Sequence, residues 1–144
     1  MANSMKFFAA IALLAVVAVS CGKVEKILPK KDGLWQIKSE QITVFVNNVQ
    51  DTSYTEVDSL GQIMFEKDGG GYSADFSGNN KVTFTWEVNS DNDKITITDT
   101  SGVPQTMDIL ESSNKSQTWQ GSTTFDFLGI SLRTDVKSTL ERKD

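Results

Sequence analysis

Lys81–Ser90 reads KVTFTWEVNS. Val82, Phe84, Trp86 and Val88 alternate with Thr83, Thr85 and Glu87, so apolar side chains fall on one face and polar ones on the other. A helix would spread this pattern around its circumference, whereas a half-buried strand separates the two sets. Asp91-Asn92-Asp93 follows, three residues whose short side chains bond nearby backbone and tolerate positive φ. Lys94–Thr100 (KITITDT) then alternates again, with Ile95 and Ile97 on one face and Thr96 and Thr98 on the other. Two alternating runs joined by a turn make a β-hairpin.

The same signal extends in both directions. Leu34–Asn48 carries apolar residues on odd positions at Trp35 and Ile37 and on even positions at Ile42, Val44 and Val46. A change of parity near Ser39–Gln41 predicts a bulge or bend. Tyr54–Val57 and Gln62–Glu66 are separated by Asp58-Ser59-Leu60-Gly61, and Lys67–Gly71 (KDGGG) turns the chain into Tyr72–Ser77. Gln105–Glu111, Gln117–Thr124 and Ser131–Glu141 complete the set. Past Gly33 no apolar run has helical spacing, and Thr, Val, Ile and aromatic residues dominate. The expected fold is all-β: an antiparallel up-and-down β-barrel of about eight strands, eight if Tyr54–Glu66 is one interrupted strand and nine otherwise. Closure between first and last strands would leave no free edge and favour a monomer.

The last strand ends on an informative residue. Leu132, Thr134, Val136, Ser138, Leu140 and Arg142 share one face, opposite Arg133, Asp135, Lys137, Thr139 and Glu141. Arg142 therefore falls on the apolar side, where a cation needs a partner such as an aromatic ring. In an up-and-down barrel the first and last strands are neighbours, and antiparallel pairing brings Trp35 near Arg142.

With Gly33-Leu34-Trp35 opening the first strand and an Arg closing the last, the chain resembles the lipocalin/calycin pattern. In particular it is similar to the short lipocalin-like domains carried by lipoproteins of the Bacteroidetes. The stretches that carry the resemblance are GLWQIKS (33–39), GQIMFEKDGGGYSA (61–74), FTWEV (84–88), DKITITD (93–99) and LRTDVKSTLERK (132–143). The resemblance implies a lipocalin-like domain over 33–144, smaller than a typical lipocalin and without a C-terminal helix, that takes a small apolar or amphipathic ligand. Phe65, Phe84, Trp86, Ile97, Ile109 and Trp119 lie on inward faces, where they either pack as core or line a cavity. Phe65, Phe84, Trp86 and Trp119 are the candidate ligand contacts. Trp119 has small polar flanks (Ser116-Gln117-Thr118 and Gln120-Gly121-Ser122-Thr123) and is expected at a barrel mouth. Phe125, Phe127, Leu128 and Ile130 then form an apolar stretch expected as a loop, either a lid or an exposed patch.

The first residues carry an address. Lys6 precedes thirteen uncharged apolar residues, Phe7–Val19. That is the form of an export signal, and it is shorter than the roughly 20 apolar residues a spanning helix needs. Ala18-Val19-Ser20-Cys21 resembles a bacterial lipobox, which implies cleavage after residue 20 and acylation of Cys21 by chains of the palmitate kind. Cys21 is the single cysteine, so no internal disulfide exists. Residue 22 is Gly rather than Asp, which in a diderm host resembles outer-membrane sorting. The expected organisation is thus a signal peptide over 1–20, a lysine-rich lipid-anchored tether over 21–32 with the character of a solvated spacer, and the barrel domain over 33–144.

Composition excludes much else. The 144 residues hold 14 Lys+Arg against 19 Asp+Glu, a net charge of −5, and no His. Without His there is no Ser-His-Asp or Cys-His nucleophile and no His-ligated metal. The acidic balance opposes nucleic-acid binding, which needs cations against phosphates. Asp91-Asn92-Asp93 opens like a calcium loop, but Ile95, Thr96 and Gly102 stand where its later ligands and turn glycine belong. Gly69-Gly70-Gly71 precedes a strand rather than a helix, so it is a turn and not a phosphate cradle. Glu56, Glu66 and Glu87 show no convergence of the kind glycoside hydrolysis requires. No cofactor signature is present and no enzyme activity is expected. Asp58-Ser59-Leu60 resembles a three-residue O-glycosylation signal with Ser59 as acceptor.

Two functions stay open. One is a lipid-anchored envelope protein holding a small apolar or amphipathic ligand in its barrel. The other is a solid-core interaction module that docks a protein or envelope polymer.

Overall fold

A computed structural model describes residues 23–58 and 60–143. The export signal, Cys21 and Ser59 lie outside the described residues. The described residues form nine strands: β1 Leu34–Val46, β2 Val49–Val57, β3 Gln62–Phe65, β4 Gly70–Ala74, β5 Val82–Val88, β6 Lys94–Asp99, β7 Pro104–Ser112, β8 Ser116–Phe127 and β9 Ile130–Arg142. All pairings are antiparallel, and β9 returns to β1 to close the sheet. Both β2 and β3 pair with β1, end to end: Ser39–Val46 faces Val49–Val57, and Leu34–Gln36 faces Gln62–Met64. They are two halves of one broken strand, and so counted the barrel has eight staves. The all-β up-and-down barrel read from the alternation is the observed fold.

The pairing of β1 with β9 slips between Ile37 and Ser39, so Lys38 is the extra residue of a bulge. This is the parity change visible in the sequence, and it keeps Glu40, Ile42 and Val44 on the same inner face as Trp35 and Ile37. The β5–β6 hairpin turns at Asn92, whose φ of 58° is one that Asn tolerates.

Closure is limited to half the height of the barrel. β7 pairs with β8 only between Asp108–Ser112 and Gln117–Gln120, after which β8 runs on beside β9 to Phe127. β4 pairs with β3 and not with β2. Hence β2, β1, β9 and β8 continue past the barrel as a four-stranded sheet whose outer edges, on β2 and β8, pair with no further strand among the described residues. The expectation that closure removes free edges is corrected. The long strands have 12 or 13 residues, while β3 to β6 have 4 to 7, so the tall wall has nothing opposite to pair with.

The core fills the closed half with Trp35, Ile63, Phe65, Phe84, Ile95, Trp119 and Leu140. Three more core residues, Val24, Ile27 and Leu28, come from the segment before the barrel. They lie on one face of a short helix, α1 (Val24–Ile27), and of the residue that caps it. The solvated-spacer reading of this segment is therefore corrected: from Lys23 onward it plugs the end of the barrel. Spacing of three and four residues puts the apolar side chains together, and the lysines between them face water. Trp35 fixes the plug by donating its indole N–H to the Leu28 carbonyl at 3.0 Å. Arg142 lies opposite Trp35 with its guanidinium 4.2 Å from the ring centre. It donates from Nη2 to the Ile27 carbonyl and from Nε to the Asn114 carbonyl, each at 2.7 Å, and from Nη1 to the carbonyl of Lys30. Between plug and barrel stands Gly33 at φ +66°, where a Cβ would sit 1.9 Å from the Phe65 carbonyl oxygen. Only glycine fits there.

Candidate functional site

The four aromatic residues singled out as ligand contacts are brought together. Phe65 is central, with ring centroids 5.6 Å from Phe84, 5.4 Å from Trp86 and 5.7 Å from Trp119, all edge-on. That geometry is favourable for aromatic quadrupoles and adds to the burial of large rings. Trp86 donates its indole N–H to the Gly70 carbonyl at 2.8 Å. Trp119 does not stand at a mouth: it is buried, opposite Ile109 on β7 and Ser138 on β9. Its small polar neighbours belong to other places, since Thr118 and Gln120 alternate to the outer face and Gly121 lies one step higher on the inner wall. Phe65, Phe84 and Trp119 are packed core, and Trp86 is half-buried beside them. Together they form a floor. Trp119 Nε1 is buried without a hydrogen-bond partner among the described residues.

Above this floor a cleft of about 620 Å³ opens where β7 and β8 part. Its wall includes Glu40, Met107, Gly121, Thr123, Val136 and Ser138. Gly121 creates part of the space, since a Cβ there would come within 3.1 Å of the Met107 Cγ. The Glu40 carboxylate accepts a hydrogen bond from the Ser138 hydroxyl at 3.2 Å. Among the described residues, Glu40 is the only charged one in the lining. The cleft was not among the sequence-derived candidates. Two signals pointed to it: an acid on the inner face between Ile37 and Ile42, and a glycine inside a strand, which often marks close approach.

Higher still, the inner face of the four-stranded sheet is apolar, with Ile42, Val44, Val136, Leu132, Phe125 and Phe127. Phe125 and Phe127 stack with centroids 6.3 Å apart. The segment expected as a loop is instead the end of the β8–β9 hairpin, turning at Leu128 (φ 49°) and Gly129 (φ 79°). Two positive-φ residues match the right-handed twist of the strands. The patch is exposed, with Leu128 at 85% and Phe125 at 62%. The outer face of the same sheet is polar and cross-linked: Ser122 donates to Asp135 at 2.7 Å, the Thr43 and Ser53 hydroxyls lie 3.1 Å apart, and Arg133 covers the Phe45 ring at 4.0 Å. The sheet thus has one solvated face and one apolar face that no other element among the described residues covers.

Among the described residues no group of three or more His, Cys, Asp or Glu is placed to hold a metal, and no helix is long and apolar enough to cross a membrane.

No family model and no curated protein matches this chain. One solved structure, apocrustacyanin C1, is similar at 14% identity, over 86% of this chain and 71% of that one, with a TM-score of 0.48. A likeness of that degree says nothing of what is bound. Strand order, register and closure themselves define the fold, an antiparallel up-and-down barrel of eight staves closed between β1 and β9.

Proposed function

We propose that this chain is a lipid-anchored cell-envelope protein that holds a small apolar or amphipathic ligand in the cleft between β7 and β8. A lipocalin-like barrel suits ligand binding in general. The observation that carries this reading is the cleft itself. Its volume of about 620 Å³ lies within the range of about 300–1,000 Å³ typical of small-ligand sites. Its wall mixes Met107 and Val136 with threonine and serine hydroxyls, which suits a molecule with a tail and a polar end. Phe65, Phe84, Trp86 and Trp119 do not line this cleft and belong to the packed core instead.

The anchor fits the same arrangement. In the sequence Cys21 precedes the buried Val24 by three residues, so an anchor on Cys21 would hold the chain through the segment that plugs the barrel. Two or more chains make such anchoring stable. From Arg142 to Ile130, β9 carries the wall roughly 40 Å away, at about 3.3 Å per residue. The cleft and the apolar sheet then face away from the membrane, the outer membrane in a diderm host. Binding without covalent chemistry is the role, and no enzyme activity is proposed.

The test is native mass spectrometry on a soluble Cys21→Ser form lacking residues 1–20. A persistent, extractable adduct of lipid-like mass supports the ligand reading. A bare protein that also ignores fatty acids, alcohols and alkylamines overturns it. Fractionation of the full chain tests the anchor: Cys21→Ser moves the protein to the soluble fraction, and retention in the membrane contradicts anchoring.

The exposed hairpin end favours a second reading, an interaction module that docks a protein or envelope polymer through Phe125, Phe127 and Leu128. In that case Phe125→Ser with Phe127→Ser abolishes docking and leaves amphiphile binding unchanged.

A further inference from the structure

We infer that the cleft selects amphiphiles whose polar end is a cationic hydrogen-bond donor, an alkylammonium above all, and that Glu40 is the carboxylate that receives it. This rests on the ligand reading above and adds the chemical class of the ligand.

Charge and placement carry the inference. Among the described residues that line the cleft, Glu40 alone is charged, and no described Lys or Arg is part of its wall. Glu40 is only half-buried, so one side of its carboxylate is open to the cleft while the Ser138 hydroxyl bonds the other. On the neighbouring strand Glu56 lies directly opposite Glu40 in the ladder, and ladder partners share a face. Like charges directly opposite across a sheet repel, and a cation between or beside them relieves that repulsion.

The nearest cations are placed elsewhere. On β9, Arg133 and Lys137 alternate with the cleft residues Thr134, Val136 and Ser138 and so belong to the outer face. Lys38 sits in the bulge and pairs with Glu141 at 3.9 Å. The whole chain adds to this sign, with its net charge of −5. An anionic head group entering the cleft would meet carboxylate and no cation. An ammonium group would meet Glu40, with Glu56 adding to the field, and would find hydroxyl acceptors at Thr134 and Ser138. Its alkyl chain would lie over Met107 and Val136, with the apolar inner face of the sheet above them.

The test uses three probes of one chain length, decylammonium, decanol and decanoate, titrated calorimetrically at low salt into the soluble form. Decylammonium is expected to bind about tenfold tighter than decanoate, the factor a single carboxylate contact in a partly solvated site supplies. In Glu40→Gln, a near-isosteric change that keeps an oxygen for Ser138, that preference should shrink to within about twofold while decanol is unaffected. Equal binding of decylammonium and decanoate, or a preference that survives in Glu40→Gln, overturns the inference and leaves the ligand reading intact. If none of the three binds the unaltered protein, the ligand reading fails first and the inference falls with it.

Discussion

Arg142 shows how much one side chain holds at the plugged end. Its guanidinium covers Trp35 and donates to three carbonyls, two of them on the N-terminal segment. Lysine keeps the charge but loses the planar fork, and hydrogen bonds from charged donors are the strong ones. Arg142→Lys is expected to cost about 2–4 kcal/mol, measured by urea unfolding. Gly33 is a second such point. Gly33→Ala puts a Cβ onto the Phe65 carbonyl at a positive φ, so the backbone must move, with a cost of about 3 kcal/mol or more. Asp99 gives a pH signature. Hydrogen bonds from Ser101 hold its carboxyl below the ordinary value. A lowered folded-state pKa stabilises above the carboxylate range and is lost as pH falls through that lowered value. The stability difference between the protein and Asp99→Asn should therefore vanish in acid, and an NMR titration of the carboxyl reads the shift directly.

The N-terminal segment behaves as an element of the barrel rather than as a leash. Fully burying a side chain such as Val24, Ile27 or Leu28 is worth about 1.5–3 kcal/mol, an upper figure because unfolded chains already hide some surface. A chain that begins at Gly33 is expected to lose about 5 kcal/mol against one that begins at Lys23, measured by chemical denaturation. A spacer would cost nothing. This element was hard to see in the sequence because its apolar stripe is one turn long and lysines surround it. The β5–β6 hairpin was plainly legible, since its alternation answers to a single requirement, one face in and one face out. Trp35 and Arg142 were legible too, because a cation on an apolar face has few ways to be satisfied. Trp119 misled because its small polar flanks belong to a different face and a different height of the wall. The β8–β9 end misled because Gly129 and an acid, Asp126, resemble loop punctuation, although a two-residue turn with strands on both sides uses the same residues.

At the scale of the molecule the decisive feature is unequal strand length. Long β1, β8 and β9 meet short β3 to β6, so the barrel closes below and opens above. No local pattern encodes that difference, because it arises from where pairing stops on each side. The arrangement separates two tasks: the closed half supplies stability through its aromatic core, and the open half supplies the cleft. Gly121→Val should divide them. The new side chain enters the cleft beside a flexible methionine, so stability should change by about 1 kcal/mol or less while decylammonium binding weakens by about tenfold or more.

The most direct measurement is an amide-shift map, recorded on the soluble Cys21→Ser form during titration with decylammonium. The structure places Thr106, Met107, Gly121, Thr123, Val136 and Ser138 around one cleft. The largest shifts are expected on these residues and on Glu40, while the hairpin turn at Leu128 and Gly129 stays unchanged. Shifts centred on that turn with a silent cleft, or no shifts at all, would contradict binding in the cleft.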